Sequence, residues 1–352
     1  DSPNGHAHIK DIGHSAADEH LRDLCARCHL GMEKTETGPI TQLSRGGGCN
    51  ACHLNYSEKA LADYNSYHND SILPVYHASL DLTITNEHCF GCHSRSGRIA
   101  TNYEGFTETT FNKNEIANKK GLRVLADERV FKYINPDVHH EKGMACIDCH
   151  TYNEVMGDGK LYMHEEDAVK LRCTDCHFEG KPLIIEYDSL DYISKRILSI
   201  RKFKPERKAV LKTHIEGHPM LNTYVDLKGN SHLTGKLNGK DYLLNSPGRT
   251  CTRGDAHNEV SCSACHTSWA PQCLGCHIEY ETDSPGYDLL ENKKDKGTWR
   301  EYAGSFLSGP PTLGVRVSEK NNEVTPAIPG MIMTLDKSNF KGKHHKPDSL
   351  FV

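Results

Sequence analysis

Apolar residues are sparse along this chain, so the few places where they recur with a period stand out. In EYDSLDYISKRILSIRKFK, Leu190, Ile193, Ile197 and Ile200 fall at helical spacing, with Ser189 placed as the N-cap. Downstream, NTYVDLKGNSHLTGKLNGKDYLL reads as hairpin, its short runs separated by Gly229-Asn230 and by the tight-turn pair Asn238-Gly239. Near the start, Ser15 and Asp18 form a capping signature, after which Leu21, Leu24 and Cys28 share one helical face. The last 75 residues, with PPTLGV and TPAIPGMIMTLD, read as an extended wrap over the surface with no separate domain.

Composition sharpens this picture. A chain of 352 residues ordinarily builds two or more apolar cores. Here only 36% of residues are hydrophobic, mean hydropathy is -0.63, and no run approaches the ~20 apolar residues of a membrane span. The net charge of -5 offers no basic surface for nucleic acid. Some other body must supply apolar bulk.

The cysteines say what that body is. Cys-x-x-Cys-His occurs seven times: Cys25/Cys28/His29, Cys49/Cys52/His53, Cys89/Cys92/His93, Cys146/Cys149/His150, Cys173/Cys176/His177, Cys262/Cys265/His266 and Cys273/Cys276/His277. Of the 15 cysteines only Cys251 is left over, a free thiol, an intermolecular disulfide or an unusual ligand, and read first as a buried inert thiol. The pentapeptide attaches c-type haem, the thiols bonding to its vinyl groups and the histidine ligating iron. Zinc also takes Cys-x-x-Cys pairs, but gives no reason for a histidine after each one, and seven pairs leave a remainder when coupled in twos. A disulfide scaffold has no use for the histidine either. Seven covalent haem c groups would replace much of the missing core.

The expected fold is therefore mostly irregular, with short α-helices and a few β-hairpins around a packed haem array. It forms a single unit over 1–352: motifs one to three in 1–120, four and five in 121–180, a helix-plus-hairpin insert in 181–250, and motifs six and seven with the C-terminal wrap in 251–352. From each motif histidine to the next motif cysteine the intervening residues number 19, 35, 52, 22, 84 and 6. Six residues span at most roughly 25 Å, so sites six and seven must be neighbours. The gaps of 19 and 22 suggest that one and two, and four and five, are also pairs.

The second axial ligand separates carrier from catalyst, because a filled iron leaves substrate nowhere to bind. Sixteen of the 23 histidines lie outside the motifs, enough to fill every site. His20 and His257 each lie five residues before a motif cysteine, His139 and His164 precede motifs within short segments, and His68 and His77 sit between motifs two and three. His14 and His345 complete the candidate distal set, each weighed against an ordinary surface histidine. Arg95 and Arg98 follow motif three and suit haem propionates or a solvated basic loop equally. Trp269 reads as packing, Asp148 and Asp175 as variable motif positions.

These seven motifs, with phrases such as CFGCHSRSGRI, GMACIDCHTYNEVMGDG and CSACHTSWAPQCLGCH, resemble the multihaem c-type cytochromes, more loosely the octahaem tetrathionate reductase and hydroxylamine oxidoreductase group. Extracellular cytochrome filaments are a further similar group. The resemblance implies an electron-transfer protein serving redox-partner proteins or extracellular acceptors, with self-association into a filament through the His-rich termini (His6, His8, His14; His344, His345). The alternative is an enzyme reducing a small sulfur or nitrogen oxyanion at one five-coordinate haem, with Arg95, Arg98 or a nearby Lys holding the anion. Seven motifs rather than eight, and no CxxCK, set the chain apart from those enzymes. Haem c attachment takes place outside the cytoplasm, so the chain is expected in the periplasm or beyond, its signal peptide removed before Asp1. Asp1 is not cysteine, which speaks against a lipid anchor.

Overall fold

Helix α1 (Ala16–Asp23) begins at the capping box read from the sequence: Ser15 Oγ accepts from Asp18 N at 3.2 Å, and the Asp18 carboxylate accepts from Ser15 N at 3.1 Å. The computed structural model describes residues 12–28, 47–95, 97–116, 119–160, 162, 165–203, 208–247, 257–266, 274–291, 293–307, 313–317, 322–326 and 333–341. The helix stops at Asp23, and Cys25–Cys28 follows as one 3-10 turn. The expected apolar face is not the packed one. His20, Arg22 and Asp23 are buried, whereas Leu21 is 40% exposed. The reason is polar: Arg22 pairs with buried Asp288 at 3.1 Å, and Asp23 accepts from Trp299 N at 2.6 Å and Thr298 Oγ1 at 2.7 Å.

Short elements follow in quick succession. Helix α2 (Asn50–His53) runs into β1 (Leu54–Asn55). Helix α3 (Glu58–Asp70), capped by Ser57, separates β1 from its antiparallel partner β2 (Ser79–Leu80). Helices α4 (Asn86–His93) and α5 (Ile99–Tyr103) precede β3 (Phe106–Glu108), β4 (Leu122–Val124) and β5 (Val130–Tyr133), an antiparallel sheet of order β3-β5-β4. Phe90 and Ala100 from the two helices pack with Leu125 and Phe131 to close a small core. One-turn helices come next: α6 (Val138–Glu141), α7 (Cys146–Cys149), α8 (Tyr152–Val155), α9 (Glu165–Ala168) and α10 (Cys173–Cys176).

The long insert carries β6 (Ile184–Glu186), α11 (Tyr192–Ile200), β7 (Ala209–Lys212) and β8 (Pro219–Met220), then β9 (Thr223–Val225), β10 (Ser231–Thr234) and β11 (Asp241–Leu243). Both expected turns form, β9–β10 through Gly229 at φ 87° and β10–β11 through Gly239 at φ 65°. Helix α11 is present but shifted. Its N-cap is Asp191, whose carboxylate accepts from Ser194 N at 2.9 Å, and Ser189 belongs to the preceding 3-10 turn. The later start turns Leu198 inward, with Leu190, Val210 and Leu221, and leaves Ile193 and Ile200 more than half exposed.

Helix α12 (Cys262–His266) precedes the largest departure from expectation. The C-terminal region is no loose wrap: β12 (Leu274–Asp288) and β13 (Lys293–Leu307) pair as a 15-residue antiparallel hairpin. A second hairpin joins β14 (Leu313–Val317) to β15 (Asn322–Pro326), and β16 (Met333–Asp336) adds to β12 in parallel. Ile278, Trp299 and Leu335 are buried between these strands, which gives the hairpin a core that the Pro, Gly and Met content concealed. The result is a mixed fold of short helices and small, mostly antiparallel sheets, with more sheet than a few hairpins. Among the described residues no helix is long and apolar enough to cross a membrane.

Candidate functional site

Five motifs are carried on helical turns: α2, the end of α4, α7, α10 and α12. Residues three apart on such a turn share a face, so each pair of sulfurs is presented together. The backbone of motif one forms a 3-10 turn. Motif seven differs, because Cys276 and His277 lie in extended β12, where successive residues alternate sides. His29, Cys273, His164, His345, Cys251 and Trp269 lie outside the described residues, as do the side chains of Cys25 and Cys276. Among the described residues no disulfide joins Cys28, Cys49, Cys52, Cys89, Cys92, Cys146, Cys149, Cys173, Cys176, Cys262 or Cys265. Burial pushes the Cys149 thiol up to about 12 and raises Cys176 as well. A buried thiol held neutral is a poor thiolate ligand for a bare metal but loses nothing as a neutral thioether.

Four of the motif histidines share one arrangement. Nδ1 of His53 meets the Asp81 carbonyl at 2.8 Å, that of His150 the Glu154 carboxylate at 3.3 Å, that of His177 the Asn245 carbonyl at 3.0 Å, and that of His277 the Thr334 hydroxyl at 3.1 Å. In all four, Nε2 has no hydrogen-bond partner among the described residues. This is how a metal-ligating imidazole is oriented: one nitrogen held from behind, the other presented. Glu154 sits well below its ordinary value, at about 2. Burial works against its ionisation, but His150 and the Thr151 and Leu171 amides outweigh that penalty.

Two aspartates inside the motifs are structural, not mere variable positions. Asp148 accepts from Ala145 N at 2.8 Å and Lys236 N at 2.6 Å. Asp175 accepts from Arg172 N at 2.7 Å, from His214 N at 2.8 Å and from His214 Nδ1 at 2.5 Å. Sequence reading missed them; an aspartate at the third position of a helical turn, as in CIDC and CTDC, is the signal that could have found them. Through these bonds the insert grips both sites. Asn222 Nδ2 donates to Asp148 O at 3.0 Å, and Lys236 Nζ donates to the Ile147 carbonyl.

Among the distal candidates, His139 is placed most tellingly. Its ring centre lies 6.1 Å from that of His177, and its Nδ1 is held by Asp137 at 2.8 Å. Two imidazoles on opposite sides of one metal, with bonds of about 2 Å, have centres about 6 Å apart. His214, which sequence reasoning did not select, has the same carboxylate-held Nδ1 through Asp175. His14 is ion-paired with Glu19 at 2.7 Å, and His20 is buried edge-on against Trp299, where burial lowers its pKa. His68 packs at a tilt against Tyr64, and His77 and His257 are exposed. His88, His218 and His232 have both ring nitrogens engaged.

Arg95 and Arg98 are committed elsewhere. Arg95 pairs with Asp127 at 3.0 Å and Glu301 at 2.7 Å, Arg98 with Glu108 at 2.6 Å and Glu301 at 3.2 Å. Arg129 completes this buried network through Asp127 and Glu108. It ties the loop after motif three to β13. Among the described residues no three His, Cys, Asp or Glu side chains converge as a ligand cage for a bare metal ion. No protein-family model matches the chain, and searches of curated proteins and of solved structures returned no match.

Proposed function

We propose that this chain is a heptahaem c-type cytochrome that conducts electrons through closely spaced, mostly bis-histidine haems outside the cytoplasm. The fifth site carries the reading. Cys173 and Cys176 share one turn, the carbonyl of Asn245 holds His177 Nδ1, and the His139 ring centre lies 6.1 Å from that of His177, the separation two axial imidazoles require. Bound haem would supply a one-electron couple and a large apolar ring. The protein's residues set its surroundings. Asp137 and Glu154 put anionic acceptors behind His139 and His150, which raises ligand basicity and favours the oxidised state; the carbonyls behind His53 and His177 do so less. Ile72, Leu73, Val75 and Tyr76, each 48% exposed or more, offer an apolar wall between motifs two and three.

The engagement of Arg95 and Arg98 with carboxylates favours a carrier over an anion-reducing enzyme, whose anion they were to hold. Redox-partner proteins or extracellular acceptors are the counterpart, and assembly into a conductive filament extends the same reading. Negative-stain microscopy showing only isolated particles removes the filament. Mass spectrometry of the exported protein should find seven covalently added haems, and electron paramagnetic resonance of the oxidised protein only low-spin iron. His139→Ala should turn one centre high-spin. A spectrum that the substitution leaves unchanged overturns the ligand assignment, and a high-spin component in the native protein moves the reading to the enzyme.

A further inference from the structure

We propose that the third motif is a three-way junction, bordered by motifs one, two and four, from which a single line continues through four to five. The inference rests on the haem reading above and names the order of its sites. Helix α4 presents a separate contact toward each neighbour. Toward motif one, Cys92 Sγ lies 3.8 Å from the Cys28 carbonyl. Toward motif two, His88 Nε2 meets the carbonyl of Leu54, the residue after His53, at 3.3 Å. Toward motif four, Asn86 Oδ1 accepts from Cys146 N at 2.9 Å.

From motif four the line passes to five: the Glu154 carboxylate behind His150 also accepts from Leu171 N at 2.7 Å, two residues before Cys173, and the His139 and His177 rings lie 6.1 Å apart. Because a thioether fixes the ring edge at its sulfur, adjoining motifs bring ring edges together. Motif four thus adjoins five, and motif one adjoins three. An electron given up by a reduced protein partner at site one or two reaches site three and leaves through four and five, and the acceptor gains that one electron with no bond made or broken. The two arms let two donors feed one outlet.

The test uses the exported, haem-loaded protein. Electron cryomicroscopy should show the site-three iron with three nearest iron neighbours, those of sites one, two and four; a linear order with two neighbours overturns the junction. In stopped-flow oxidation through the acceptor end, the double substitution Cys89→Ala and Cys92→Ala should leave two haems oxidising in a separate slow phase. Cys49→Ala with Cys52→Ala, which removes one arm, should leave no slow phase. Equal kinetics in both variants also overturn the proposal. A variant that fails to load its other haems is recognised by mass, and the native iron map then decides. A native protein carrying no haem would defeat the functional reading itself, and its mass reports that separately.

Discussion

A histidine can offer a metal only the nitrogen that nothing else holds, so the partner of the other nitrogen sorts this chain's many histidines. His53, His150, His177, His277, His139 and His214 have Nδ1 held and no hydrogen bond to Nε2 among the described residues, while His232 is clamped at both ends by Asp226 and Asp241 and stacks on Tyr224. Asp226 belongs to the turn, not to a metal. Its carboxylate accepts from Asn230 Nδ2 at 2.9 Å, Asn230 N at 2.7 Å and Lys228 N at 2.8 Å, and these bonds, that of the Asn230 side chain foremost, bring its pKa down to about 2. A depressed carboxyl contributes stability that is full above its unfolded value of 3.8 and is lost as pH falls through the folded one. Asp226→Ala should therefore lower the melting temperature near pH 6, and the gap from the native protein should narrow between pH 4 and 2. A gap that stays constant across that window contradicts the assignment.

At the scale of elements, the insert acts as a clamp whose small core sets its grip on motifs four and five. Leu198 is central, 5% exposed and packed with Leu190, Val210 and Leu221. Leu198→Ala should lower the free energy of unfolding by about 2–5 kcal/mol, and loss of the Asp191 cap by about 1 kcal/mol, both measurable by chemical denaturation. No change on truncating Leu198 would mean that the clamp does not fold as a unit with the sites. What the sequence made legible here was local. The Ser15–Asp18 box and the turns at Gly229 and Gly239 depend on residues a few positions apart, and they formed as read. The cap of α11 was misplaced by two residues because Ser189 and Asp191 are both good caps, and only packing of Leu198 against β7 chooses between them. The β12–β13 hairpin was missed because its core, Ile278 against Trp299 and Leu335, is assembled from three distant segments. The CxxCH turns were legible in full, but the acceptors behind their histidines, such as Asn245 for His177, are 28 to 68 residues away where they come from other segments.

For the whole molecule, the protein's own apolar packing is dispersed into three small clusters among the described residues, one beside each of three different motif groups. Large apolar side chains outside them face open space, among them Leu73 and Val75 at 78% exposure and Tyr192 at 81%. Clusters of three or four side chains separated by one-turn helices cannot stabilise one another, since short helices are marginal without tertiary packing. The bonds that join segments converge instead on the motifs: Asn86 to Cys146, Asn245 to His177, Thr334 to His277. These contacts have value only if the imidazoles and sulfurs they orient are themselves fixed, which covalent attachment and ligation would do. The chain made without haem should therefore lack a cooperative thermal transition by circular dichroism and show an expanded radius in small-angle scattering, whereas the exported protein melts cooperatively and is compact. A haem-free chain with the same radius and a sharp transition would show that the polypeptide holds its own fold and that the sites are preformed.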